Sequence, residues 1–553
     1  MRRAASLVTA ALLWAGIRSE SPAPSASPFP VVGVKSGINK RTGEAPARLN
    51  VKTLWARGGP QWDLYMLALA ELQAMNETDE LSYFGLTGVH GFPHSAWNGV
   101  GNVDGAPVTG FCPHGDIMFV TWHRPYVALF EQVLVSRAAR IANKYPPNLK
   151  TEYVAAAQTL RQPYWDWASD PTLPPAVYAV NISVRAPSGR TRIPNPLYSY
   201  RYQQPNVVSS FGGFLGTYPQ TIRCLGDGNT FCNITTSNHA MAKVAQDLMS
   251  DVYDIFARTR VFDNTGWRIS SLEFPHNLVH AMSVCNGTFS DTNWSAFDPL
   301  FMLHHSNVDR LVALWQTIYY TEAVFNVTAY STGQYGTPRG TNITAESPLK
   351  PFFDENLNFH TTMSVANISR FGYTYPEMPD WRMPPEERAS HVTAYINSLY
   401  SHSDNGVGHV RASGEGWNVA TKNYFTAEIT VDRSELPLPV ILRLAAGDIV
   451  IGRVSLLSMP VDGVASISVP LKNVMVGDHT LKDSPMGEAI SFLERELRFV
   501  IQRSDGEDVS FDSVPSLKLQ IQNTAYLARA NNSSFPAFGN TTRWSIDLRQ
   551  NER

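Results

Sequence analysis

The sequence predicts a mainly α-helical N-terminal domain with many loops, followed by a smaller C-terminal β-sandwich. Three features carry that expectation. Helix-type segments are scattered between about residues 50 and 375, a polar glycine-rich stretch follows, and beyond it the apolar period changes to two. With 553 residues, 43% hydrophobic and 17% charged, the chain is long enough for one large domain and a smaller one.

At the N-terminus, Arg2 and Arg3 precede a largely apolar run from Ala4 to Ile17, and proline-rich Ser19 to Pro30 follows. A run this short cannot span a bilayer, so residues 1–19 are expected to be a cleaved secretory signal, although no small-x-small triplet marks the cut. The alternative is an apolar tail. Asn-x-Ser/Thr sites at Asn76, Asn181, Asn233, Asn286, Asn293, Asn326, Asn342, Asn367, Asn532 and Asn540, with Asn531 overlapping, add to an expectation of export and N-glycosylation. A net charge of -3 offers no attraction for nucleic acid or an anionic membrane, and no later segment is apolar enough to span one. Small neutral substrates remain open.

Residues 20–378 form the expected main domain. Helices are predicted at Leu64 to Met75, at Tyr126 to Ala142 with Pro125 in the first turn, at Leu272 to Met282 and at Val308 to Tyr319. Their apolar stripes read as core. Residues 379–417 contain Pro384-Pro385, Ser401 to Gly408 and Ser413 to Gly416, and are expected to be a linker. In residues 418–553, Ala427 to Val431, Val440 to Leu444 and Ile449 to Val454 read as strands. Leu497, Phe499 and Ile501, then Leu517, Leu519 and Ile521, alternate with polar residues about a predicted hairpin turn at Asp505-Gly506.

Of the four cysteines, Cys224 and Cys232 flank a short segment and are expected to close a disulfide loop in an oxidising compartment, the alternative being two free thiols. Cys112 and Cys285 do not look like a framework.

The histidines carry the chemistry. His276 and His280 are four apart, which puts both imidazoles on one helical face where one metal ion can take them. Asn277 follows His276 where the zinc-protease pattern needs Glu. His304 and His305 lie in an apolar run, where burial without a metal or hydrogen bonds is costly. His90, His114 and His123 form a second set in the N-terminal half. Two all-histidine sets without a ligand carboxylate argue against a non-haem iron triad, and are unusual for a hydrolytic zinc pair.

With these motifs in order, the chain resembles the fungal tyrosinase, or polyphenol oxidase, branch of the type 3 copper proteins. The matches are Val-His90-Gly-x-Pro with Trp97-Asn-Gly99, Cys112-x-His114, Trp-His123-Arg, Pro163-Tyr-Trp-Asp-Trp167, and Asn195-Pro-Leu-Tyr-Ser-Tyr200. His276-Asn-x-x-His280, Asp298-Pro-x-Phe-x-x-His-His-x-x-x-Asp-Arg310 and Tyr373-Thr-Tyr375 complete them. The likeness covers about residues 50 to 378, and the C-terminal strands look like the family's shielding domain.

The resemblance implies a helix bundle around two copper ions, with O2 as co-substrate. CuA would be held by His90, His114 and His123, and CuB by His276, His280 and His305. His305 is preferred to His304 because the family ligand stands four residues before the Asp, here Asp309. His94 rivals His90 on spacing, but the motif favours His90 and assigns His94 a supporting place. His239, His360, His391, His402, His409 and His479 match no ligand motif. Cys112 matches the cysteine that forms a thioether with His114 in fungal members. Glu273 and Asn277 match a pair proposed to hold the water that deprotonates a monophenol; the plainer role for Glu273 is to cap or solvate its helix start. Phe301 matches the aromatic that stacks on the CuB imidazoles and substrate, and is equally suited to the core. Ala281 is small enough to leave the entrance open, whereas Asn286 to Asn293 departs from the family's usual gate pattern.

The implied activity is oxidation of o-diphenols to o-quinones together with hydroxylation of monophenols, in pigment or phenolic metabolism. Alternatives are a catechol or o-aminophenol oxidase without the hydroxylating activity, and a haemocyanin-like oxygen carrier. Glu273 with Asn277 favours the first. A single catalytic unit with a leader argues against the carrier.

Overall fold

The computed structural model describes residues 28–226, 231–260, 262, 269–323, 328–378, 382–401, 422–472 and 474–546. The expected leader, residues 1–19, lies outside them. A helical domain and a C-terminal pair of sheets each have their own apolar cluster.

Six helices position the site: α1 (Gly59–Gln73), α2 (Phe119–Ala142), α3 (Ile234–Arg258), α4 (Glu273–Ser283), α5 (Leu300–Ile318) and α6 (Pro385–Tyr400). Helix α5 is buried from Leu300 through Trp315, as expected of a helix apolar on all sides. It packs on α2, which in turn packs on α1, while α4 lies along α3. Asn233 opens α3 by accepting from the Thr236 amide.

Two helix starts differ from expectation. Pro125 does not open α2 but lies inside it, six residues after its start at Phe119. Helix α5 begins at Leu300, eight residues before Val308. In both, the histidine-bearing turn is helical because its apolar side chains are buried against neighbouring helices, which outweighs local propensity.

The first half of the expected linker is also structured. Pro385 sits in the first turn of α6, where its missing N–H costs nothing. Val392, Ile396 and Tyr400, four apart, are buried as α6 packs on α3 and α5. Its remainder, 402–417, lies outside the described residues.

The C-terminal strands are β1 (Lys422–Asp432), β2 (Val440–Ala446), β3 (Ile449–Leu456), β4 (Val464–Pro470), β5 (Leu497–Arg503), β6 (Lys518–Leu527) and β7 (Ala537–Ile546). They form two antiparallel sheets, ordered β4-β1-β6-β7 and β5-β2-β3. Ile429, Ile467 and Ile521 of one sheet share an apolar cluster with Leu442, Val454 and Ile501 of the other. The period-two reading therefore holds. The hairpin turn at Asp505-Gly506 forms as well, with Gln502 bridged to Asp508 and Val509 N donating to Ile501 O at 2.8 Å, but it does not pair the two long strands: β5 pairs with β2, while β6 pairs with β1 and β7. Both strands carry an apolar inner face, so alternation alone cannot say which sheet each joins. Outer strand β3 lies against α4, placing its edge beside the histidines.

The cysteine pairing is a further correction. Cys224 bonds to Cys285, with Cα atoms 4.7 Å apart, while Cys112 and Cys232 are free and buried. The Cys224 amide donates to Val284 O at 2.8 Å, bringing the first cysteine to the end of α4. The Cys232 backbone also runs beside Cys224, with Asn233 N donating to Cys224 O at 2.8 Å, but Cys285 makes the bond. Non-reducing peptide mapping should find Cys224 joined to Cys285. Cys285→Ser should cost up to about 4 kcal/mol of stability, whereas Cys232→Ser should leave the cross-link in place.

Candidate metal centre

All six expected ligands are buried and gathered between α2, α4, α5 and the loops before α2. Helix α2 supplies His123, α4 supplies His276 and His280, and α5 supplies His305; His90 and His114 come from the loops. The potential ligand atoms of His276, His280, His304 and His305 lie within 4.8 Å of one another, as do those of His90, His123 and His305. His90, Cys112 and His114 form a third such group. His305 Nε2 is 3.2 Å from His276 Nε2, which is 3.1 Å from His280 Nε2, and His114 Nε2 is 3.4 Å from His90 Nε2.

The other ring nitrogen decides which atom faces inward. Nδ1–H of His90 donates to Thr292 O at 3.1 Å, that of His123 to Phe119 O at 2.7 Å, and that of His280 to Phe289 O at 2.5 Å. A carbonyl can only accept, so each Nδ1 carries the proton and each Nε2 presents a lone pair. His276 Nδ1 likewise meets Asn277 Oδ1 at 2.9 Å, and His114 Nδ1 meets Glu273 Oε1 at 3.1 Å. Burial, helped by neighbouring imidazoles, drives His90, His123, His276 and His305 well below their ordinary value, and burial drives His280 down to about 3. Neutral imidazoles converging on buried space, with His123 Nε2 left unpaired, suit a metal and cannot be filled by protons.

His114 runs the other way. Burial pushes it down, but Cys112 and Glu273 outweigh that and raise it to about 10. A soft sulfur beside an imidazole favours copper over a hard cation. The donor set therefore fits a copper pair.

Phe301 is fully buried and stacks on His305 at 4.1 Å, with its ring edge-on to His90 at 4.8 Å. It is core and ring platform together. His94 lies apart from these clusters, with Nε2 2.9 Å from Asn293 Oδ1. His304 is near the ligands, and both its ring nitrogens lack a partner. It stacks on His276 at 4.8 Å and tilts toward Trp167, so it packs behind the cluster.

Glu273 opens α4 and accepts from Gly115 N at 2.9 Å as well as from His114. It is a specific partner of the CuA-side loop, beyond any helix-start role. Asn277 completes a link that the residue pattern did not reveal: its Nδ2 donates to Ser455 O of β3 at 3.3 Å.

The segment after β3 also went unread in the sequence. Leu457 is buried beside Ala281 and Ser290, and Ser458 Oγ is 3.3 Å from Thr292 Oγ1. Pro460 packs on Gly115, whose φ of +61° strains any other residue and where an added Cβ would stand 3.1 Å from the proline ring. Each of these contacts is next to a histidine or its acceptor, so Leu457 to Pro460 lies along the mouth of the cluster.

Behind the site, Asp309 ties the helices together. Its Oδ1 accepts from Arg124 Nε at 2.5 Å, and its Oδ2 from Arg48 at 3.1 Å, Tyr373 at 2.5 Å and Tyr375 at 2.6 Å. Arg124 follows His123, and Asp309 stands four residues after His305.

Residues 80–318 match the family model described as the common central domain of tyrosinase. The chain is 36% identical over 384 residues to a tyrosinase of Podospora anserina, covering 65% of this chain and 67% of that one. It is 32% identical to a tyrosinase of Neurospora crassa, covering 67% of this chain and 58% of the other. A solved mushroom tyrosinase superposes with a TM-score of 0.78 at 23% identity, covering 94% of this chain and 99% of that one. A pro-tyrosinase of Aspergillus oryzae gives 0.69 at 20% identity.

Asp309→Asn should cost about 3–5 kcal/mol, because it leaves the buried Arg124 charge uncompensated and Arg48 with Glu131 as its one remaining anion. Burial pushes the Asp309 carboxyl up, but Arg124 and Arg48 outweigh it and hold it below its ordinary value. Its contribution is therefore present above about pH 4 and lost as pH falls further. Thermal unfolding of both proteins at pH 7 and below pH 4 checks this: the gap between them should narrow on acidification.

Proposed function

The chain belongs to the tyrosinase family, and we propose that it is a copper-dependent phenol oxidase that hydroxylates monophenols and oxidises o-diphenols to o-quinones with O2. The observation that carries this reading is the set of buried imidazoles gathered on one space, with the Nδ1 protons of His90, His123, His276 and His280 held by carbonyl or carboxamide oxygens so that their Nε2 lone pairs face inward. His90, His114 and His123 would hold one copper, and His276, His280 and His305 the other. The copper pair, when bound, supplies O2 activation and two-electron oxidation.

The residues of the chain supply the rest. Phe301 gives the substrate ring a flat partner beside His305, and small Ala281 leaves room above His280. For a diphenol, orientation and proton removal suffice. For a monophenol, Glu273 and Asn277, one helical turn apart on α4, are placed to hold the water that takes the phenolic proton. Cys112 lies within 4.8 Å of the His114 and His90 ligand atoms, so a thioether to His114 is within reach. That bond would fix the imidazole and remove the charge otherwise available to the sulfur.

The leader-like residues 1–19 and the exposed Asn76, Asn181, Asn286, Asn342, Asn367, Asn532 and Asn540 support export with glycosylation. Pigment or phenolic metabolism fits the activity. The segment from Leu457 to Pro460 supports a shielding role for the C-terminal unit.

Metal analysis should return about two copper ions per chain, and His280→Ala should bind about half as much and lose O2 uptake with catechol. Stoichiometric zinc with no copper uptake would overturn the reading. Glu273→Gln should depress tyrosine hydroxylation about a hundredfold while sparing catechol oxidation. Wild-type enzyme that takes up O2 with catechol or an o-aminophenol, and never with tyrosine, is instead an oxidase without hydroxylating activity.

A further inference from the structure

Helix α4 and strand β3 meet where the apolar helical domain touches the C-terminal sheets. Strand β3 is the outer strand of its sheet, so one side of its backbone has no strand partner. Buried backbone acceptors in such a position need donors from elsewhere. Ser455 is buried and takes its donor from Asn277 Nδ2, at 3.3 Å. The other end of the same carboxamide accepts from His276 at 2.9 Å. Asn277 is thus held at both ends: by a histidine of the metal cluster and by the main chain of the C-terminal unit.

The second residue of the pair is also engaged from that unit. Arg433, just after β1, is buried and donates a long hydrogen bond of 3.4 Å to Pro460 O. It lines a cavity of about 140 Å³ together with Glu273, Gly115 and Pro460. The cation and the carboxylate line the same cavity, whose wall also carries Asp116, Asp462, Ser271, Thr332 and Ser466.

We propose that the C-terminal unit controls hydroxylation directly, by holding the Asn277 carboxamide through Ser455 O and placing Arg433 opposite Glu273, as well as by covering the entrance. Ser455 and Arg433 are positioning groups that act through Asn277 and Glu273. The inference rests on the hydroxylating role proposed above for that pair. While β3 is docked, the carboxamide keeps one orientation and one of its two N–H donors is spent. When β3 moves away, the amide is free to turn and hold water. Covering the entrance slows both reactions, because both substrates use it. Holding Asn277 slows only the reaction that needs the water.

The contact can be loosened without touching the pair. Arg453 of β3 donates to Asp247 of α3 at 2.9 Å, and Lys472 reaches the same carboxylate at 2.7 Å. In the full-length copper enzyme, Arg453→Ala should raise the ratio of tyrosine hydroxylation to catechol oxidation about fivefold, the factor that one ordinary hydrogen bond represents. Lys472→Ala is the second variant should the first fold poorly. In an Asn277→Leu background, Arg453→Ala should leave the ratio unchanged, since no carboxamide remains to be freed. A separate readout uses the copper-free full-length chain. Asn277→Leu should speed amide exchange in β3 peptides about fivefold and leave β2 peptides unaltered. Equal rises in both activities, with β3 exchange unchanged, would overturn the inference. If no form hydroxylates tyrosine, the proposed monophenol activity fails by itself. Amide exchange then decides whether Asn277 and β3 are coupled.

Discussion

A single buried carboxylate, Asp309, fixes the geometry on which the metal centre depends. Two arginines and two tyrosines converge on it from separate parts of the chain: Arg48 before α1, Arg124 on α2, and Tyr373 and Tyr375 after the helical core. Two guanidinium charges cannot stay in an apolar interior without an anion, and a carboxylate there cannot stay without donors. Each group therefore depends on its partners, with Arg48 shared between Asp309 and buried Glu131. The result is a rigid bridge between α2 and α5 one turn behind the ligands, and across it His123 and His305 stack at 4.3 Å.

A second constraint follows from burial. Apart from His114, which Cys112 and Glu273 raise, imidazoles this deep are driven to the neutral form, and those of His90, His123 and His280 are oriented by what accepts the Nδ1 proton. Those acceptors are main-chain carbonyls: Phe119 in α2, Phe289 after α4 and Thr292 in the loop beyond. Backbone acceptors are as rigid as the elements they belong to. The precision of the centre comes from the fold, with few side chains dedicated to it.

This explains what the sequence could reveal. His276 and His280 were legible because a spacing of four along α4 puts both on one face, whereas the preference for His305 over His304 came from the family resemblance. Phe301 and the tyrosine pair were legible by resemblance, though their contacts were not. The strands were legible from alternation. The disulfide was not, because Cys285 reaches Cys224 only after Val284 O meets the Cys224 amide. Helix α6 was hidden by Pro384-Pro385, which look like breakers and instead open a helix. The mouth segment was hidden for a different reason. Ser455 acts through its carbonyl, and Leu457 to Pro460 act by position, so no residue type announces them.

A main-chain acceptor at the centre of the contact between the two units has an evolutionary consequence. A carbonyl belongs to every amino acid, so position 455 can change residue without altering what Asn277 meets. What must be kept is the height and direction of a strand edge relative to α4. Selection on this contact therefore acts on strand pairing and sheet curvature, which many sequences satisfy. The C-terminal unit is free to diverge in residue identity while keeping its hold on the site. The histidine-bearing helices have no such freedom, because an imidazole is a particular side chain.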